Sequence, residues 1–216
     1  MMPFYLFALV LTLAAPFMSG WVGLPGLWAA SPALVLAVTQ GRAAVADSEA
    51  RAVGLGCGLG AVAAWAVFLE VDGIVTAMLF QAMAHVAFLV LFFERSWANA
   101  LWWVAPFGGW ACTIYLALAD DVAFYEGALA GFLLLMFVTT WRGFATWVSE
   151  APGGRALAMG ALALGIADTL SAFTLTRGTF GVWAPLTVFN LAYALVAWGR
   201  THDLGFLPAL PEFDGR

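Results

Sequence analysis

The hydrophobic positions of this chain fall in long unbroken runs rather than in short alternating ones. Apolar stretches bounded by glycine, proline or charge occur at 3–20, 25–40, 52–70, 73–93, 97–119, 122–142, 156–175 and 180–199. A hydrocarbon core about 30 Å thick is crossed by about 20 apolar residues, each rising about 1.5 Å. The pattern therefore predicts an all-α, polytopic bundle of about eight transmembrane helices, with 25–40 the shortest. These form one domain over 1–200, followed by a short cytoplasmic tail over 201–216. Residues 3–20 have an apolar core with no positive segment ahead of it, which reads as a first span and not as a cleaved signal peptide.

Charge then sets the orientation. With eight spans, Arg42, Arg51, Arg95, Arg142, Arg155, Arg200 and Arg216 share one end, and only Arg177 lies at the other. The positive-inside rule makes the arginine-rich end cytoplasmic and places both termini there, in an inner (plasma) membrane. The opposite loops carry Glu70, Asp72, Asp120, Asp121 and Glu126, which read as solvated loop ends. Trp102, Trp103, Trp141, Trp147 and Trp198 lie near span ends, where amphipathic rings settle at headgroup level. Composition agrees: of 216 residues 64% are hydrophobic and 10% charged, with a mean hydropathy of +0.95. A net charge of −5 without any basic stripe excludes nucleic acid as a partner.

Small residues recur within the spans, as in Gly54-Leu-Gly-Cys-Gly-Leu-Gly60 and Ala161-x-x-x-Gly165, and predict close helix approach where lipid supplies no hydrophobic drive. The glycine run is not a phosphate loop, since no strand precedes it and no lysine follows. Cys57 and Cys112 sit in apolar runs at different depths and are expected to be buried thiols, neither bridged nor metal-bound.

Polar side chains at membrane depth are costly, so they are candidates for function. Asp168 is the one carboxylate well inside a predicted span, some seven residues or roughly 10 Å below its outer end. It shares a face with Ala161 and Gly165 and should point into the bundle. A carboxyl there can act as general acid, proton relay or interhelical hydrogen-bond donor. His85, the one histidine within a span, lies four residues after Gln81 on the same helix face. Depth counting puts Gln81 level with Asp168 and His85 deeper by on the order of 8 Å, so a direct Asp168–His85 contact would need tilt or a bridging water. Thr187, Asn190 and Tyr193 form a polar stripe on the last span. Tyr115 on the fifth and Ser171, one turn beyond Asp168, complete a candidate polar cavity.

The inventory excludes several classes. All eight basic residues are arginine, so no lysine is present for a retinal or pyridoxal Schiff base. Two histidines, one of them His202 in the tail, cannot supply a three-histidine zinc site or bis-histidine haem in the membrane. No cofactor or metal is expected. Neither a repeat between the halves nor paired broken helices point to alternating-access transport.

Ala84-His85 on the fourth span and Gly160-Ala-Leu-Ala-Leu-Gly-Ile-Ala-Asp168-Thr-Leu-Ser-Ala-Phe on the seventh resemble the lysoplasmalogenase-like (YhhN) family of membrane proteins. Ser31-Pro32 stands where that family often has Lys-Pro, and Met136 matches its sixth-span methionine. The family also carries a Gly-Asp pair on the third span; counting back from His85 places Ala64-Trp65 there. Glu70, five residues on, faces another direction. The eighth-span pattern, which usually ends in Gln, reads Phe189-Asn190-Leu191-Ala192-Tyr193.

The resemblance implies hydrolysis of the vinyl ether of a lysoplasmalogen, giving a fatty aldehyde and a glycerophospho-alcohol, with a membrane lysophospholipid as substrate. It implies Asp168 and His85 as catalytic groups, with Gln81, Tyr115, Ser171, Asn190 and Tyr193 around the substrate. The missing third-span acid keeps a second expectation open: a non-catalytic protein of the same fold that binds lipid or serves as a subunit of a homo-oligomer or larger membrane complex. An open polar cavity at Asp168 would favour the enzyme, and a centre filled by Trp65 the non-catalytic protein.

Overall fold

The computed structural model describes residues 2–22, 24–45, 47–69, 73–122 and 126–205. Glu70, Asp72 and Arg216 lie outside them. Among the described residues the chain is an all-α bundle of eight helices: α1 (Met2–Val22), α2 (Pro25–Gly41), α3 (Ser48–Ala66), α4 (Gly73–Arg95), α5 (Val104–Val122), α6 (Glu126–Val148), α7 (Gly154–Arg177) and α8 (Trp183–Gly199). A single 3-10 turn, Leu101–Trp103, leads into α5. Each helix coincides with one apolar run. Four segments, Val75–Arg95, Leu101–Val122, Glu126–Val148 and Gly154–Arg177, are long and apolar enough to cross a membrane, and Leu6–Met18 and Trp183–Gly199 are shorter apolar helices. This is a membrane protein.

Local chemistry marks the helix ends. Pro25 occupies the first turn of α2, where its missing N–H costs nothing. Asp47 caps α3, its carboxylate accepting from the N–H groups of Glu49 and Ala50 at 3.0 and 3.2 Å. Gly153 and Gly178 flank α7 with φ of 71° and 62°, the left-handed region that favours glycine. At Gly153 a side chain would also collide with the Gly199 carbonyl, so this glycine is what lets the start of α7 meet the end of α8.

The helices pack as a closed ring, α1 on α2, α2 on α3, α3 on α4, α4 on α6, α6 on α7 and α7 on α8. α8 closes the ring onto α1 and also touches α2 and α3, while α5 lies outside against α6 and α7. The small residues act as expected. A side chain at Gly56 would overlap Phe88 of α4, one at Gly60 would overlap Tyr193 of α8, and one at Gly143 of α6 would overlap Ala161 of α7.

One end of the bundle is tied by arginines. Arg95, at the end of α4, pairs with Glu49 and donates to the carbonyls of Pro152 at 2.9 Å and Arg200 at 2.7 Å. Arg200 in turn donates to Gln40 at 2.8 Å and to Asp47 at 2.6 Å. Arg142 donates to the carbonyls of Ser96 and Ala98, satisfying the end of α4, and lies over the Phe93 ring at 4.4 Å. The sequence groups these residues at one end for their charge; the structure shows them joining the ends of α2, α3, α4, α6, α7 and α8. At the other end Arg177 pairs with Asp121 at 2.7 Å, joining α7 to α5.

One expectation about packing is corrected, and one open alternative is answered. Cys57 is buried, but Cys112 is exposed on the outer face of α5, because α5 stands outside the ring and has an unpacked side. Trp65 is 53% exposed and covers Gly26 of α2, so it does not fill the centre of the bundle.

Candidate functional site

α4 packs against α3 and α6, and α7 packs against α6 and α8, so α4 and α7 face each other within the ring. His85 and Asp168 meet there. Nε2 of His85 lies 2.8 Å from Oδ2 of Asp168, with the two side chains 1% and 0% exposed. The oxygen lies off the direction of a ring N–H, so the contact is close without being an aligned hydrogen bond. His85 also packs edge-on to Phe132 of α6, ring centres 6.0 Å apart.

This corrects the expected mismatch in depth. Asp168 lies nine residues before the end of α7 and His85 twelve after the start of α4, which leaves a height difference of about 5 Å. The two helices run antiparallel, since the C-terminal Arg95 of α4 bonds Pro152 just ahead of α7. Side chains lean toward the N-terminus of their own helix. His85 therefore leans toward one end of the bundle and Asp168 toward the other, and the lean closes the gap.

One turn before His85, Gln81 accepts a hydrogen bond from the Tyr193 hydroxyl at 2.6 Å. Tyr193 is 1% exposed and is held between Phe88, Phe189 and the bare backbone of Gly60. Nε2 of Gln81, Nδ1 of His85 and Oδ1 of Asp168 are buried and have no hydrogen-bond partner. An orphaned buried polar atom costs about 1–3 kcal/mol, and with the His85 Nε2–Asp168 Oδ2 contact unaligned as well, this region of the bundle is a concentrated expense. These atoms leave the centre with donors and an acceptor that are not committed to one another.

The other candidates make different contacts. Asn190 donates to the Ala29 carbonyl of α2 at 3.2 Å and so ties α8 to α2. Tyr115 donates to Glu126 at the α5–α6 end, outside the ring that holds the pair, so it is not part of the central cluster. Ser171 is half-buried and makes no hydrogen bond with the four central residues. α5 lies outside the ring, which is why a tyrosine at suitable depth on it does not reach the site. Sequence reasoning missed the walls, Gly60, Phe88 and Phe132. Only Gly60 carried a signal, as the last member of the glycine run.

Two surface pockets lie away from the pair. One, of about 170 Å³, lies at the arginine-rich end between Glu150, Arg155 and Asp203. The other, of about 410 Å³, lies along the outer side of α4. Compared with known proteins, the chain matches no family model, no curated protein and no solved structure.

Proposed function

We propose that this chain is a multi-pass inner-membrane hydrolase of the lysoplasmalogenase type. In this reading it crosses the membrane eight times, with the arginine-rich end and both termini in the cytoplasm. The observation that carries the reading is the buried His85–Asp168 pair, which brings an acid and a base into contact in apolar surroundings beside uncommitted polar atoms.

In this reading the chemistry needs one exchangeable proton at the pair. A vinyl ether is attacked first by a proton at the alkene carbon remote from oxygen, which leaves an oxocarbenium ion. The pair gives up that proton. Water then adds to the carbon bonded to oxygen and returns a proton to the pair. The hemiacetal hydroxyl then gives up its proton as the bond to the glyceryl oxygen breaks and that oxygen takes one up, releasing the aldehyde and the glycerophospho-alcohol, so the pair ends as it began. Gln81, oriented by Tyr193, would hold the water or the ether oxygen through its free amide N–H.

A second reading has its own support. The pair is almost wholly buried and walled by Phe88, Phe132 and Tyr193, as in a non-catalytic bundle that uses it as an interhelical tie. Aldehyde release from alkenyl and acyl lysolipids by detergent-purified protein decides between them. The hydrolase releases aldehyde from the alkenyl lipid alone and loses that activity in Asp168→Asn. Folded wild-type protein with no turnover of either lipid leaves the non-catalytic bundle.

A further inference from the structure

The outer side of α4 carries a stripe at helical spacing: Val86, Leu89 and Val90, then Phe93 and Glu94, then Trp97 just past the helix end. These six residues line the groove of about 410 Å³. From Val86 to Arg95 the helix rises about 14 Å, close to half of a hydrocarbon core about 30 Å thick, which is the depth of one leaflet. The aliphatic residues occupy the deep part. The groove ends at the arginine-rich end of the bundle, where Phe93 and Trp97 stand with ring centres 5.2 Å apart.

The charge at that end is specific. Glu94 is exposed, accepts one hydrogen bond from Ser48, and makes no ion pair among the described residues. The adjacent Arg95 is committed to Glu49. Arg142, on the Phe93 ring, is buried and spent on the Ser96 and Ala98 carbonyls. Phe93 is already covered by Arg142, so what this end offers beside the stripe is the exposed Glu94 carboxylate and the exposed Trp97 ring, a combination that recognises an organic cation.

We infer that this groove is a binding site for a phospholipid with a cationic amine headgroup, its acyl chain along Val86, Leu89 and Val90 and its ammonium between Glu94 and the exposed Trp97 ring. The site is separate from the buried His85–Asp168 pair and stands whether or not that pair is catalytic. It favours zwitterionic lipid over anionic lipid, although arginines dominate this end of the protein.

The test is native mass spectrometry of the delipidated full-length protein, offered palmitoyl-oleoyl phosphatidylethanolamine and phosphatidylglycerol in equal amounts. An exposed ion pair with one cation–π contact predicts about fivefold greater retention of the ethanolamine lipid. Glu94→Gln removes the ion pair and lowers the ratio to about twofold, and Trp97→Ala lowers retention of the ethanolamine lipid. Trp97 is 79% exposed, so its removal leaves the bundle intact, which circular dichroism checks. Equal or greater retention of the glycerol lipid, or a preference unchanged in Glu94→Gln, overturns the assignment.

Discussion

Replacing Asp168 with leucine removes one half of a close polar contact between two side chains that are 1% and 0% exposed, and leaves Nε2 of His85 facing apolar atoms in place of a carboxyl oxygen. An orphaned buried polar group costs about 1–3 kcal/mol. His85→Leu orphans the carboxyl instead, at a similar cost for as long as the acid takes up a proton to avoid burying a charge. Each single variant should therefore lose about 2 kcal/mol. The double variant His85→Leu/Asp168→Leu removes both polar groups and should be no worse than the poorer single, because replacing a buried pair by apolar groups is often close to neutral. The cycle then yields a coupling of about 2 kcal/mol, above the ~0.6 kcal/mol average for polar contacts between membrane helices. Unfolding of the four proteins by denaturing detergent in mixed micelles measures all the terms. Additive singles, or singles that cost less than about 0.5 kcal/mol, would refute the claim that the pair is a dry contact across the bundle.

Other predictions rest on different parts of the molecule. Gly60→Ala should push Tyr193 off Gln81 at an overpacking cost of about 1–3 kcal/mol, read as a lower unfolding midpoint together with altered tyrosine absorbance. Arg95→Met should free Glu49 and two carbonyls at once, and hydrogen exchange should quicken at 47–52 and 150–154 with the centre of α4 unchanged. Gly153→Ala places a side chain against the Gly199 carbonyl at a left-handed backbone position. It should destabilise by at least about 2 kcal/mol, seen as loss of folded protein on size-exclusion chromatography.

The helices and their limits were legible because each is a property of a contiguous run. Eight apolar stretches became eight helices, with boundaries displaced by a few residues where caps such as Asp47 and Gly178 set the end. The arginines could be assigned to one end because charge counting needs only the order of the spans. The inward direction of Asp168 was legible from Ala161 and Gly165 on its face, since small residues mark the side where backbones meet.

What the order of residues could not give was which helices face one another. That α5 lies outside the ring removed Tyr115 from the site and left Cys112 exposed, and no local pattern distinguishes an outer helix from an inner one when lipid is as apolar as the core. The His85–Asp168 contact was obscured for a different reason. Counting rises along two helices measures the height of Cα atoms, whereas contact depends on helix ends, on antiparallel pairing and on the opposite lean of the two side chains. Sequence alone determined which segments leave water and which polar groups are carried with them. Tertiary structure alone decided which of those groups meet, because in a membrane the partners are chosen by close packing and hydrogen bonding between helices far apart in the chain.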